Sequence, residues 1–210
     1  MYHKERKKER TKTMTESEPL SILERNVEEL ITKGELEELL SSKKKPRAYV
    51  GYEPSGRVHI GHLPILHKLK ELQRFGFHII VLLADLHAYL NEKGSLEQIR
   101  ETAEYNKRCF AAAGLSDETE FIFGSSFQLD NEYMMNVLEL ATVTPEKRAK
   151  RSMDDLSSSK EDQKVSKTLY PPTQGVGVEY LDLDVAVGGT GQRNTHKLTR
   201  EDIDHFGLKD

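Results

Sequence analysis

Residues 48–62 run Ala-Tyr-Val-Gly-Tyr-Glu-Pro-Ser-Gly-Arg-Val-His-Ile-Gly-His, and their types and spacing suit a tightly held polyphosphate. Ala48 to Tyr52 has the character of a buried strand. Pro54, Ser55 and Gly56 make a tight turn, and His59-Ile60-Gly61-His62 then opens a helix. A strand that turns sharply into a helix N-terminus is an anion site, because free backbone N–H groups and the helix dipole point at the ligand. Two imidazoles flanking one glycine add donors beside a backbone that can be approached closely. Phosphoryl or nucleotidyl transfer needs that combination, since positioning and charge stabilisation dominate it. The competing reading is an ordinary strand-to-helix turn in which the histidines only cap the helix.

The elements around this turn must hold it in place. Ile22, Leu23, Val27, Leu30 and Ile31 recur at helical spacing and predict a helix over residues 21–38, broken at Gly34, with a short second helix over 35–40. Leu63, Leu66, Leu69 and Leu72 predict a crossover helix over 63–74 that Gly76 ends. The apolar run 78–84 predicts a central strand covered on both faces. Strand, helix, strand at this spacing is a right-handed βαβ unit. Asp85 to Leu90 follows at the carboxyl end of the second strand, where open α/β sheets bind ligands. Ser95 caps a predicted helix reaching about Ala113, with Glu97 and Glu101 in its early turns. Phe121 to Phe123 predicts a third strand, and Tyr133 to Val143 a helix. Residues 144–153 either continue that helix or start another. A helix over 165–170 is predicted to stop at Pro171 and Pro172. Leu181 to Val187 predicts the last strand. The expected fold class is α/β: a Rossmann-like parallel sheet with flanking helices, incomplete at the C-terminus.

The composition sets the outer limits. At 210 residues one domain with a real core is expected. The formal charge of -4 argues against a protein that coats nucleic acid by charge alone. The single Cys109 excludes an intramolecular disulfide framework and fits a reducing cytoplasm. No run approaches the roughly 20 apolar residues of a membrane span, so no membrane association is expected. Lys4, Arg6, Lys7, Lys8, Arg10 and Lys12 crowd a segment without apolar periodicity. Residues 1–14 are expected to be a basic disordered tail, with an RNA-touching arm or a start at Met14 as alternatives. Residues 15–45 form an N-terminal helical segment and 46–210 the α/β unit.

The turn at 54–62 resembles the signature of class I aminoacyl-tRNA synthetases, and four further blocks narrow the resemblance to the archaeal and eukaryotic tyrosyl type. They are residues 82–91 (LLADLHAYLN), 124–129 (GSSFQL), 147–153 (KRAKRSM) and 184–189 (DVAVGG) ending at Gln192 and Arg193. The resemblance covers roughly residues 48–201. It implies ATP-dependent activation of tyrosine to tyrosyl-adenylate and transfer to tRNA(Tyr), with Mg²⁺ accompanying ATP and no tightly bound cofactor or protein-held metal. Pro54, Ser55, Gly56, His59, Gly61 and His62 match the ATP-binding turn, and His59 and His62 the catalytic histidines. Tyr49 matches the group that hydrogen-bonds the substrate phenol; without the resemblance it is an ordinary core tyrosine. Gly51 matches a position where a side chain would block substrate. Glu53 matches a carboxylate in the network around the substrate ammonium, and Tyr170, Gln174 and Gln192 match its acceptors, which suits phenol and amide oxygens. The resemblance also implies a homodimer formed through a helical insertion at about 128–153, with Arg148, Lys150 and Arg151 near the tRNA.

Three departures stand out. The second, lysine-bearing signature loop of the family lies beyond Asp210; Ser157-Ser158-Ser159-Lys160 looks like it but sits too early. Gly177 stands where the family usually has an aspartate that binds the phenol hydroxyl. Pro172, Thr173, Gly175, Thr190, Gly191, Thr195 and Lys197 replace mostly apolar or acidic residues. Gly175, Gly177 and Pro172 are expected to weaken a helical turn there. A module that binds ATP or amino acid without catalysis, or a relic of such an enzyme, is the alternative function.

Overall fold

Two apolar runs form the centre of a parallel sheet. β1 (Arg47–Tyr52) and β2 (His78–Leu83) pair in parallel from Arg47 opposite His78 to Tyr52 opposite Leu83. β3 (Glu120–Phe123) adds beyond β2, and β4 (Val185–Ala186) lies against the other side of β1, giving the order β3-β2-β1-β4. This computed structural model describes residues 18–154 and 164–203. The basic tail at 1–14 and the serine-rich stretch at 157–160 lie outside the described residues.

Successive strand residues face opposite sides of the sheet, and both sides are covered. Ala48, Val50, Ile79, Val81 and Leu83 pack on one side. They meet Leu66, Leu69 and Leu72 of α3 (Leu63–Arg74) and Ala103 and Phe110 of α5 (Leu96–Ala112). Tyr49, Ile80, Leu82 and Ala84 pack on the other. There they meet Tyr133, Val137 and Leu140 of α6 (Asn131–Val143) and Val176 of α8 (Val165–Tyr180). Leu63, expected on the buried face of α3, is exposed. Gly76 ends α3 at φ 86. Ser95 caps α5 in a capping box with Gln98.

The N-terminal segment forms the two expected helices with shifted bounds. α1 (Glu18–Glu24) stops before Asn26, which takes a left-handed φ of 58. α2 (Lys33–Ser42) then starts at a Thr32–Glu35 capping box, so Gly34 lies inside a helix instead of breaking one. Val27 and Ile31, counted as helical, lie between the two helices and are exposed. Asp184 ties this segment to the sheet. Its carboxylate accepts from Lys43 Nζ at 2.7 Å and from the Arg47 amide at 2.7 Å.

The helix predicted to stop at Pro171 continues through both prolines to Tyr180. Residues 170–177 are all buried, and α8 packs against α6, α7 (Glu146–Asp154) and α9 (Arg193–Ile203). Packing on several sides outweighs the local penalty of two prolines. Gly175 and Gly177, which sequence marks as weak points, are close-approach positions. A methyl group on Gly175 would sit 3.0 Å from Leu140, and one on Gly177 would sit 3.2 Å from the Tyr133 hydroxyl. Thr173 and Thr195 are buried in the same contact region. The expected strand 181–187 shrinks to two residues, because α8 runs to Tyr180 and Asp182 turns at φ 48. α7 is a separate helix from α6: Thr144 is extended ahead of Pro145.

Candidate functional site

β1 places Tyr49 and Gly51 on one side by simple alternation, and Glu53 follows directly after the strand. They face a narrow crevice of ≈ 50 Å³ at the carboxyl end of the strand. β2 and α4 (Asp85–Leu90) contribute Leu82, Ala84 and His87. α8 contributes Tyr170 and Gln174, and the turn after β4 brings Gly188, Gly189, Gln192 and His196. A larger, shallow basin of ≈ 580 Å³ lies between α5 and β3, lined by Glu97, Arg100, Glu101 and Ser125 among others. It receives nothing from β1. The crevice is the stronger site because polar groups from four elements converge there.

Glu53 is the centre of a hydrogen-bonded cluster. The Tyr170 hydroxyl donates to its Oε1 at 2.6 Å, and Asn91 Nδ2 donates to Oε2 at 3.1 Å. Burial, reinforced by the Glu53 carboxyl, pushes the Tyr170 hydroxyl well above the ordinary phenol pKa. Gln174 Nε2 donates to Gln192 Oε1 at 3.3 Å across the crevice. The Tyr49 hydroxyl has no hydrogen-bond partner among the described residues, and burial raises its pKa. It also explains Gly51: a methyl group there would sit 2.7 Å from that hydroxyl.

His87 is buried beside Tyr170, with ring centroids 4.5 Å apart. Neither of its ring nitrogens completes a well-formed hydrogen bond, although the Tyr170 backbone lies close. Burial pulls its pKa down to about 4, against the opposing pull of Asp85. Asp85 in turn is fixed by the Ser125 amide at 2.8 Å and Arg100 Nε at 3.3 Å.

The His-Ile-Gly-His turn stands outside the crevice lining, as do Pro54, Ser55 and Gly56. Ile60–His62 forms one turn of 3-10 helix ahead of α3. The Gly61 amide donates to His59 Nδ1 at 3.1 Å, and the His59 amide donates to His62 Nδ1 at 3.2 Å. His62 Nδ1 also lies 3.1 Å from the His59 carbonyl oxygen, so only at His59 does the accepting Nδ1 assign the ring proton of the neutral tautomer to Nε2. The capping and the anion-binding readings are compatible: Nδ1 of each ring braces the turn, and Nε2 stays free of it. Gly61 is required because a methyl group there would lie 2.9 Å from the His59 ring.

Six residues singled out in the sequence thus meet in one crevice: Tyr49, Gly51, Glu53, Tyr170, Gln174 and Gln192. The six of the turn sit apart from it. Sequence reasoning missed Asn91, His87 and His196. The first two lie inside a block already singled out at 82–91, and His196 follows Gln192 by four residues. Arg148 and Lys150, which the resemblance places near the tRNA, make exposed ion pairs with Glu201 and Glu146.

This sheet, its carboxyl-end crevice and the adjacent His-Ile-Gly-His turn define the class I aminoacyl-tRNA synthetase fold. The chain belongs to the family described as tRNA synthetases class I (W and Y), whose profile matches residues 41–209. It is 52% identical over 191 residues to the tyrosine–tRNA ligase of Methanosarcina barkeri, covering 90% of this chain and 60% of that one. The structure of tyrosyl-tRNA synthetase from Archaeoglobus fulgidus complexed with L-tyrosine superposes with a TM-score of 0.89 at 49% identity, covering 92% of this chain and 61% of that one. The Leishmania major enzyme in complex with tyrosinol matches with a TM-score of 0.85 at 28% identity, over 93% and 30% of the two chains. The chain therefore spans about 60% of the length of the archaeal relatives it matches. Among the described residues, no helix is long and apolar enough to cross a membrane.

Proposed function

We propose that this chain carries the amino-acid and ATP sites of a tyrosine–tRNA ligase. The observation that carries the reading is the Glu53–Tyr170–Asn91 cluster beside the Gln174–Gln192 pair, with the unpartnered Tyr49 hydroxyl in the same crevice. Carboxyl, phenol and amide oxygens are acceptors for an ammonium group, and the Tyr49 hydroxyl suits a phenol at the far end of the ligand. The imidazoles of His59 and His62 suit the phosphates of ATP. Mg²⁺ enters with the triphosphate as part of the substrate.

The proposed reaction has two steps. The tyrosine carboxylate attacks the α-phosphorus of ATP, a bond to pyrophosphate breaks, and tyrosyl-adenylate remains. A hydroxyl of the terminal ribose of tRNA(Tyr) then attacks the acyl carbon, the acyl–phosphate bond breaks, and AMP leaves. The side chains supply position and charge stabilisation more than covalent chemistry. The exposed apolar residues of α6, Met135, Leu138 and Val143, support a homodimer through this helix.

Equilibrium titration with tyrosine tests the reading. The chain binds tyrosine, and Glu53→Gln weakens binding roughly tenfold or more, as loss of a charged hydrogen-bond partner does. Absence of tyrosine binding by the folded chain overturns it.

A further inference from the structure

His196 stands in the crevice wall without a task in the scheme above. It sits four residues after Gln192, at the start of α9, and both line the crevice. Gly188 lies between the two. A methyl group on Gly188 would lie 3.2 Å from Gln192 Cβ, 3.3 Å from His196 Cε1 and 3.4 Å from His196 Nε2. The absence of a side chain at 188 is thus what leaves the Nε2 edge of the imidazole open toward the crevice. His196 has no hydrogen-bond partner among the described residues. Its ring is mostly enclosed by protein, and that burial lowers its pKa, so at neutral pH it is uncharged and carries one N–H donor.

We infer that His196 donates a hydrogen bond to the carboxylate of the bound amino acid, which makes it a substrate-positioning residue. The inference rests on the tyrosine-binding reading above. The ammonium and carboxylate of an α-amino acid share one carbon. Residues four apart on a helix face are about 5–6 Å apart at Cβ. A donor next to the ammonium-binding Gln192 therefore stands where the carboxylate falls. A neutral donor has a further merit: it orients the carboxylate for attack on phosphorus while leaving its negative charge, and so its nucleophilicity, largely intact.

Two ligands separate this role from a structural one. Tyrosine carries the carboxylate; tyramine keeps the ring and ammonium but lacks it. For the wild-type chain and for His196→Ala, His196→Gln and Gly188→Ala, calorimetric titration gives both affinities, and thermal unfolding confirms a folded protein. His196→Ala and Gly188→Ala weaken tyrosine roughly ten- to a hundredfold and leave tyramine within about twofold. His196→Gln, which keeps a neutral N–H donor, recovers part of the tyrosine affinity. Equal loss for both ligands, or no loss for either, overturns the inference while the ligase reading stands. A wild-type chain that binds neither ligand overturns both.

Discussion

At the scale of single residues, two side chains carry consequences that differ from their neighbours'. The resemblance implies a carboxylate where this chain has Gly177, and on the proposed reading the Tyr49 hydroxyl is then left to recognise a phenol by itself. A site that bonds a substrate hydroxyl discriminates strongly against the analogue without it, and half of such a device discriminates less. Gly177→Asp is expected to raise the preference for tyrosine over phenylalanine at least tenfold in amino-acid activation. The new Cβ would press on the Tyr133 hydroxyl at 3.2 Å, so a small loss of stability accompanies it. His87 is buried and faces Asp85 and Tyr170, with its pKa pulled down to about 4 from an ordinary 6.5. Between these values the unfolded chain binds a proton that the folded chain refuses, so stability falls as pH drops from about 6.5 toward 4. His196, shifted in the same direction, adds to this loss. At pH 5 the His87 contribution is on the order of 1–2 kcal/mol. Urea unfolding at pH 7 and pH 5 measures it, and His87→Gln is expected to show a flatter dependence on pH.

At the scale of elements, α8 decides the shape of the crevice, and it is the element that local sequence conceals. Pro171, Pro172, Gly175 and Gly177 all disfavour a helix in isolation. Three neighbouring helices bury them, and that burial is invisible until the fold is known. Gly175→Val is expected to cost about 1–3 kcal/mol in urea unfolding, since overpacking a contact already at 3.0 Å forces α6 and α8 apart. The opposite case is the run His78–Leu83, whose six apolar or half-buried residues between turn signals announce a central strand without help. β1 is as plain, and with it the positions of Tyr49 and Gly51, because strand alternation is fixed by geometry. Val27 and Ile31 show the reverse failure: helical spacing suggested burial, but the Thr32–Glu35 capping box starts a new helix and leaves both exposed. Asn91 and His196 were hidden for a different reason. Their importance comes from the partner or the open space opposite them, which spacing along the chain does not reveal.

At the scale of the whole molecule, the crevice and the His-Ile-Gly-His turn are adjacent but separate, one proposed for an amino acid and the other for a polyphosphate. Two substrates that react with each other need neighbouring sites, and the proposed activation uses both. The apolar face of α6 is expected to join two copies of the chain: sedimentation gives a dimer for the wild type, and Leu138→Glu shifts it toward monomer. Amino-acid-dependent ATP–pyrophosphate exchange, run with tyrosine, phenylalanine and tryptophan in parallel, reaches the central claim most directly. Exchange that depends on tyrosine, with phenylalanine a weaker but measurable substitute and tryptophan inactive, is the predicted result. A soluble chain that unfolds cooperatively yet supports exchange with none of the three would contradict it.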